Sequence, residues 1–233
     1  MVYHVASVLL GPFFYLQGKY VKRVTPKLPE PGGPRSGQSG SGSPLSLLIV
    51  GDSAAAGVGV EHQQQALSGS VVAALSAHYQ VSWKLLAETG DTSAQLLAKI
   101  EAASQGEQFD FVLVSIGVND VTGLTSSQRW LSNLDAISVA LRHKFGARQI
   151  LFSSLPPMHL FSALPQPLRW WLGTRAKQLN LLMAQFSANS SHCSFLNIPY
   201  STNTQLVAAD GFHPGALAYK LWGEFVAEVI HAE

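Results

Sequence analysis

Four short stretches carry the residue types from which nucleophilic chemistry on an acyl group can be built. Ser53 stands in Gly51-Asp52-Ser53, followed by Ala54-Ala55-Ala56-Gly57. Flanking residues with so little side chain leave its hydroxyl open to close approach. His213 lies in Asp210-Gly211-Phe212-His213-Pro214. A carboxylate three residues ahead of an imidazole reaches it locally, fixing its tautomer and supporting its positive charge. Gly90, in Glu88-Thr89-Gly90-Asp91-Thr92-Ser93, permits a turn that swings a backbone N–H outward. Asn119, in Gly117-Val118-Asn119-Asp120, supplies a carboxamide donor. Each stretch taken alone reads equally well as a turn or a helix cap. Combined, they provide a nucleophile, a base, a group to orient the base, and donors for a developing oxyanion, which is what acyl transfer requires.

Such groups meet only if the chain folds so as to gather them. Five short apolar runs read as strands: Leu45–Val50, Val81–Ala87, Phe111–Ile116, Gln149–Leu155 and Ser194–Ile198. Segments with helical spacing follow them over Ala66–Ala77, Ala94–Ala103, Ser127–Phe145, Leu168–Ser187 and Ala216–His231. Strand and helix in alternation predict an α/β protein, a three-layer α/β/α sandwich on a five-stranded, mostly parallel sheet. Ligands of such sheets bind beyond the carboxyl ends of the strands. Ser53, Gly90 and Asn119 each follow one of those ends. His213 precedes the last helix, with Pro214 suited to its first turn.

These four blocks, in this order, resemble the signature blocks of the SGNH (GDSL-type) hydrolases, from about Leu47 to the C-terminus. The resemblance implies a flavodoxin-like α/β/α fold that hydrolyses carboxylic esters or thioesters with no metal and no organic cofactor. It further implies Ser53 as nucleophile, His213 as general base and Asp210 as its orienting carboxylate. The oxyanion hole it implies comprises the N–H groups of Ser53 and Gly90 and the Asn119 side chain. More narrowly, the chain looks like the bacterial lysophospholipase- or arylesterase-like members, for which lipid-like or aryl esters are the expected substrates. Acetyl-sugar esterases share the same motifs. The alternative from another class is a non-catalytic α/β module that binds an acylated ligand or a membrane surface.

Several other residues invite a role. Asp52 either braces its own turn or takes part in the chemistry, and Asp120 is placed to hold its loop. Met158, His159, Leu160 and Phe161 follow the fourth strand and, with Leu164, Trp170 and Trp171, either line an acyl pocket or pack as core or lid. His62, His78, His143 and His192 lack metal-ligand spacing and are expected at the surface. Cys193, the single cysteine, reads as a small buried hydrophobe. Gly57-Val58-Gly59 meets His62 where a dinucleotide fingerprint needs glycine, and no Gly-Lys-Ser/Thr loop for phosphate occurs.

Composition bounds the rest. Of 233 residues, 47% are hydrophobic and 12% charged, so a folded core is expected and disorder along the whole length is excluded. A net charge of +1 gives no basic field for nucleic acid. The charge is unevenly spread, however. Lys19, Lys22, Arg23, Lys27 and Arg35 stand against Glu30 alone in the first 35 residues. Residues 1–25 combine these cations with an apolar run, Val5 to Leu16, interrupted by Gly11-Pro12. The run is too short to span a bilayer, and its proline is expected to bend any helix. Either it lies in a membrane interface, with the cations at anionic headgroups, or its aromatics pack on the domain. The corresponding location is cytoplasmic and peripheral to the inner membrane surface, the alternative being export by an atypical N-terminal signal. In residues 26–44, 14 of 19 positions are Pro, Gly or Ser, which reads as a flexible linker. The hydrolase-like domain is then 45–233.

Overall fold

Continuous apolar runs bounded by glycine and polar turns do form the sheet. A computed structural model describes residues 7–200 and 206–233. Its strands are β1 (Ser36–Ser39), β2 (Ser43–Gly51), β3 (Tyr79–Ala87), β4 (Phe111–Ser115), β5 (Gln149–Ser153) and β6 (Cys193–Leu196). The sheet order is β1-β3-β2-β4-β5-β6, parallel throughout except for β1, which pairs antiparallel with β3. Without β1, the order is that of a flavodoxin-like doubly wound sheet. The chain leaves β2 toward β3 on one side and returns to β4 on the other. A crevice therefore opens at the carboxyl end of β2.

Helices cover both faces. Along β2, Leu48 and Val50 face one core with α4 (Ser93–Ala102), α6 (Ser127–Phe145) and α7 (Leu168–Ala188). Leu47 and Ile49 face the other, with α3 (Leu67–Leu75) and the closing helix α8 (Ala216–Ala232). Alternate residues thus serve two cores, which is why the strand is apolar without interruption. Two short helices sit at the strand ends, α2 (Ser53–Ala56) after β2 and α5 (Val118–Thr122) after β4. An N-terminal helix, α1 (Gly11–Val24), lies on α7.

The architecture corrects the sequence reading in two places. The sheet has six strands, not five, and the sixth comes from the stretch 26–44 expected as a linker. Ser36–Ser39 registers against Lys84–Val81 of β3, Leu85 donates to Arg35 O, and Gly32 exchanges backbone bonds with Glu61 and Gln63. Composition misled because an edge strand needs no apolar side chains. The open edge of β3 offers backbone donors and acceptors that any sequence can satisfy. Second, Pro214 lies just before α8, bridged to Val207, and Gly215 caps that helix. Pro12, by contrast, falls where a bend is expected: residues 7–9 are helical, the chain bends at Leu10, and a new helix starts at Gly11 with Pro12 in its first turn, where a missing N–H costs nothing.

Among the described residues no helix is long and apolar enough to cross a membrane. The first two residues of the N-terminal apolar run, Val5 and Ala6, lie outside the described ones.

Candidate active site

The nucleophile candidate is placed by a tight exit from β2. Gly51 sits where an added Cβ would stand 1.9 Å from Ser115 O of the neighbouring strand, so only glycine allows the approach. Asp52 caps α2 with its side chain, Oδ1 accepting the Ala54 N–H at 3.2 Å. Ser53 is then the first residue of the helix, at the switch point of the sheet. Its own N–H has no acceptor among the described residues.

The base arrives from the far end of the chain. His213 Nε2 lies 2.9 Å from Ser53 Oγ, and Nδ1 lies 2.5 Å from Asp210 Oδ2. Asp210 Oδ1 accepts the backbone N–H groups of Phe212 and His213, both at 3.0 Å. Burial resists ionisation of Asp210. The His213 ring, the two N–H groups and the imidazole charge outweigh it, and the carboxyl is held below its ordinary value. An ionised carboxylate can only accept, so Nδ1 donates, and in the neutral ring Nε2 is left to accept the Ser53 O–H.

Two further loops follow the strands on either side of β2, although neither Gly90 nor Asn119 is among the residues that line the cleft over Ser53. Gly90 lies in the turn after β3, whose last residue Ala87 pairs with Gly51. It adopts φ +93° with open space around its Cβ position, so conformation rather than crowding selects glycine. Its N–H has no acceptor among the described residues. Asn119 lies on α5 after β4, whose Ser115 is the other neighbour of Gly51. One amide hydrogen of Asn119 bonds Asp91 O at 2.9 Å, which leaves the second available. Asp120, fully buried, takes the Ser93 N–H at 2.8 Å and the Ser93 hydroxyl at 2.6 Å, tying the two loops together. Thr92 caps α4 in a capping box with Gln95.

A cleft of about 320 Å³ opens over Ser53 and His213. Its walls are mainly apolar, among them Ile116, Leu160, Phe161, Ile198, Phe212 and Trp222. Of the four residues expected there, Leu160 and Phe161 do line it, and Phe161 packs on Phe212 at 4.7 Å between ring centres. Met158 and His159 do not. They share a one-turn helix whose successive side chains point different ways, Met158 into the core and His159 outward against Gly173. Leu164 and Trp171 are core residues, and Trp170 is on the surface, so none of the three lines the cleft. Sequence reasoning missed the walls from Ile198 and from Leu221 and Trp222 of α8. Trp222 is buried and its indole N–H bonds Ser153 Oγ at the end of β5, while Leu221 stays half-exposed at the rim.

Asp52 is buried, and its Oδ2 has no hydrogen-bond partner among the described residues. Burial pushes its carboxyl up to about 7, against the pull of the Ala54 N–H and the His213 charge. His62, His78 and His143 are exposed and His192 half-buried, while Cys193 is buried as expected. Among the described residues no group of His, Cys, Asp and Glu is placed to hold a metal ion.

A flavodoxin-like sheet with a hydroxyl, an imidazole and a carboxylate in hydrogen-bonded succession at its switch point defines the class, a doubly wound α/β protein with a candidate nucleophile at the carboxyl end of β2. The chain belongs to the GDSL-like lipase/acylhydrolase family, the SGNH hydrolases, whose model matches residues 49–221. That family consists of ester hydrolases, which sets the class of reaction. Among solved structures, TesA is 22% identical with a TM-score of 0.64, over 80% of this chain and 98% of that one. The lipase/acylhydrolase from Enterococcus faecalis is 19% identical with a TM-score of 0.57, over 81% of this chain and 96% of that one. Axe2, an acetylxylan esterase from Geobacillus stearothermophilus, is 18% identical with a TM-score of 0.59, over 82% and 96%. At these identities the likeness is one of fold. No curated protein matches the sequence significantly.

Proposed function

We propose that this chain is a serine carboxylic-ester hydrolase that works through an acyl-enzyme. Ser53 Oγ attacks the ester carbonyl while His213 Nε2 takes the hydroxyl proton, and Asp210 holds the resulting imidazolium. The negative charge that builds on the carbonyl oxygen is met by the N–H groups of Ser53 and Gly90 and by the Asn119 amide. Collapse of the tetrahedral species breaks the bond to the alcohol, which leaves with the proton from His213. Water then attacks the acyl-enzyme by the same route and regenerates the Ser53 hydroxyl. Every proton moved is accounted for among the chain, the substrate and the attacking water.

The observation that carries this reading is the unbroken line from Ser53 Oγ to Nε2 at 2.9 Å and from Nδ1 to Asp210 at 2.5 Å. The apolar walls of the cleft support an acyl group of hydrocarbon character, hence lipid-like or aryl esters and their thioester counterparts, over polar sugar esters. A fluorophosphonate probe is expected to label the folded protein and to fail on Ser53→Ala. A series of p-nitrophenyl esters from acetate to palmitate then reads the acyl preference, with kcat/KM rising from acetate to medium chains. No labelling of folded wild type would reject the enzyme and leave a binding module. Fastest turnover on acetate would reject the apolar acyl class.

A further inference from the structure

Helix α1 presents three distinct faces. Phe14, Gln17 and Val21 face the domain. Phe14 is buried and stacked on Trp171 at 4.7 Å, and Gln17 bonds Gln166 O at 2.8 Å and the Leu168 N–H at 3.2 Å. Phe13, Leu16, Tyr20 and Val24, at the i, i+3, i+7, i+11 spacing, form an apolar stripe on an exposed flank about a quarter turn from that face. These four are 49%, 62%, 61% and 52% exposed, and Leu9, just ahead of them, is 72% exposed. Arg23 and Lys19 lie along one flank of the stripe and Lys22 on the opposite, polar side of the helix, with Lys27 just beyond its end. None of the four is in an ion pair among the described residues. No acidic residue precedes Glu30 in the sequence.

We infer that α1 is an interfacial helix that docks the protein on an anionic phospholipid bilayer, its apolar stripe among the acyl chains and its cations at the headgroups. Water gains nothing from four large apolar side chains in a row, and removing them from it is favourable. Charge selects the occupant. A second copy bringing the same helix would set cations against cations, whereas an anionic lipid surface attracts each of them, about fivefold in partitioning per cation. At 14 residues the helix is about 21 Å long, too short to cross and suited to lie flat. Tyr15, Tyr20 and Trp170 add exposed rings of the kind that rest at headgroup depth, and Trp170 sits at the start of α7 beside the α1 contacts. The segment between β5 and α7 also carries Leu160 and Phe161 of the cleft.

Docking is independent of the chemistry proposed for Ser53, and its test is binding alone. In co-sedimentation, the full-length chain is expected to partition at least tenfold more onto vesicles of equal phosphatidylglycerol and phosphatidylcholine than onto phosphatidylcholine alone, and less as salt is added. The double variants Phe13→Ser/Leu16→Ser and Lys22→Glu/Arg23→Glu change exposed residues. Each is expected to lose tenfold or more of that partitioning while keeping the wild-type unfolding transition and turnover of a water-soluble ester. Ser53→Ala is expected to bind as wild type does. Equal partitioning onto both vesicles, wild-type binding by either double variant, or loss of binding in Ser53→Ala would each overturn the inference. So would a dimer in sedimentation equilibrium that Phe13→Ser/Leu16→Ser dissolves, which would assign the stripe to a second copy. Inactive protein that still binds vesicles would sink the hydrolase reading and leave this one standing.

Discussion

Asn119 and Asp52 show how differently two polar residues in neighbouring strand-end loops behave. Asn119 is held by the Asp91 carbonyl with a donor to spare, the condition for a preorganised oxyanion contact. Asn119→Ala is therefore expected to lower kcat by about 10²–10³ with little change in KM, measured by steady-state hydrolysis of a soluble ester. Asp52 is a different case, since burial keeps its proton on until about pH 7, far above the ordinary 3.8. The folded state then binds more protons than the unfolded chain between those values, so stability falls as pH rises through that window. Below about 3.8 the contribution is complete, and above about 7 it has gone. Asp210 acts in the opposite sense, because its lowered value makes its contribution present above the ordinary range and lost in acid. Asp52→Asn keeps the Oδ1 acceptor for Ala54 and carries no charge at any pH. In urea unfolding, the wild type is expected to lose stability relative to this variant between pH 4 and 7, with the difference constant at higher pH. A gap that does not change with pH would show that the carboxyl is ionised throughout.

At the scale of elements, the long periodic segments were the most legible. Ser127–Phe145 is found with both ends as expected, because Ser126 caps one end with its side chain and Gly146 closes the other in the left-handed conformation. β1 was illegible because its reason to exist is the unpaired edge of β3, which lies more than 40 residues away in the chain. The same stretch reaches the site. Glu30 Oε1 accepts the Thr89 N–H at 2.8 Å and hydroxyl at 2.7 Å, while Oε2 takes Arg35 at 2.9 Å. Arg35 in turn bonds Ala87 O at the end of β3. The turn holding Gly90 is thus braced from a segment that composition marks as loose. Glu30→Ala should cost about 1–2 kcal/mol and lower the unfolding midpoint by roughly 2–4 °C per kcal/mol. It should also slow turnover several-fold, because the Gly90 N–H is less well fixed. Glu30→Gln, which keeps an acceptor, is expected to recover most of both losses, read by calorimetry and kinetics.

For the molecule as a whole, the N-terminal helix decides how many bodies there are. Its aromatics divide between domain and solvent at adjacent positions, Phe14 buried and Phe13 exposed. Of the two expectations for this segment, packing on the domain holds for Phe14 and leaves an apolar face over. Phe14→Ala should cost about 3 kcal/mol, as removal of a buried ring does, while Phe13→Ala should stay within about 0.5 kcal/mol. Urea unfolding of the two variants checks this, and equal costs would mean that α1 does not pack as described.

From the sequence alone came the alternation of strands and helices beyond residue 45, the two-faced burial of β2 and the choice of Ser53, Gly90, Asn119, Asp210 and His213 as candidates. All of these rest on local pattern, such as apolar periodicity, turn glycines and a carboxylate within reach of an imidazole. Tertiary structure alone decided that Ser53 and His213, 160 residues apart, stand in hydrogen-bond contact. It likewise placed Met158 and His159 outside the cleft and drew residues 36–39 into the sheet. Those outcomes depend on which surfaces are left uncovered once the other elements have packed, and no window of the chain carries that information.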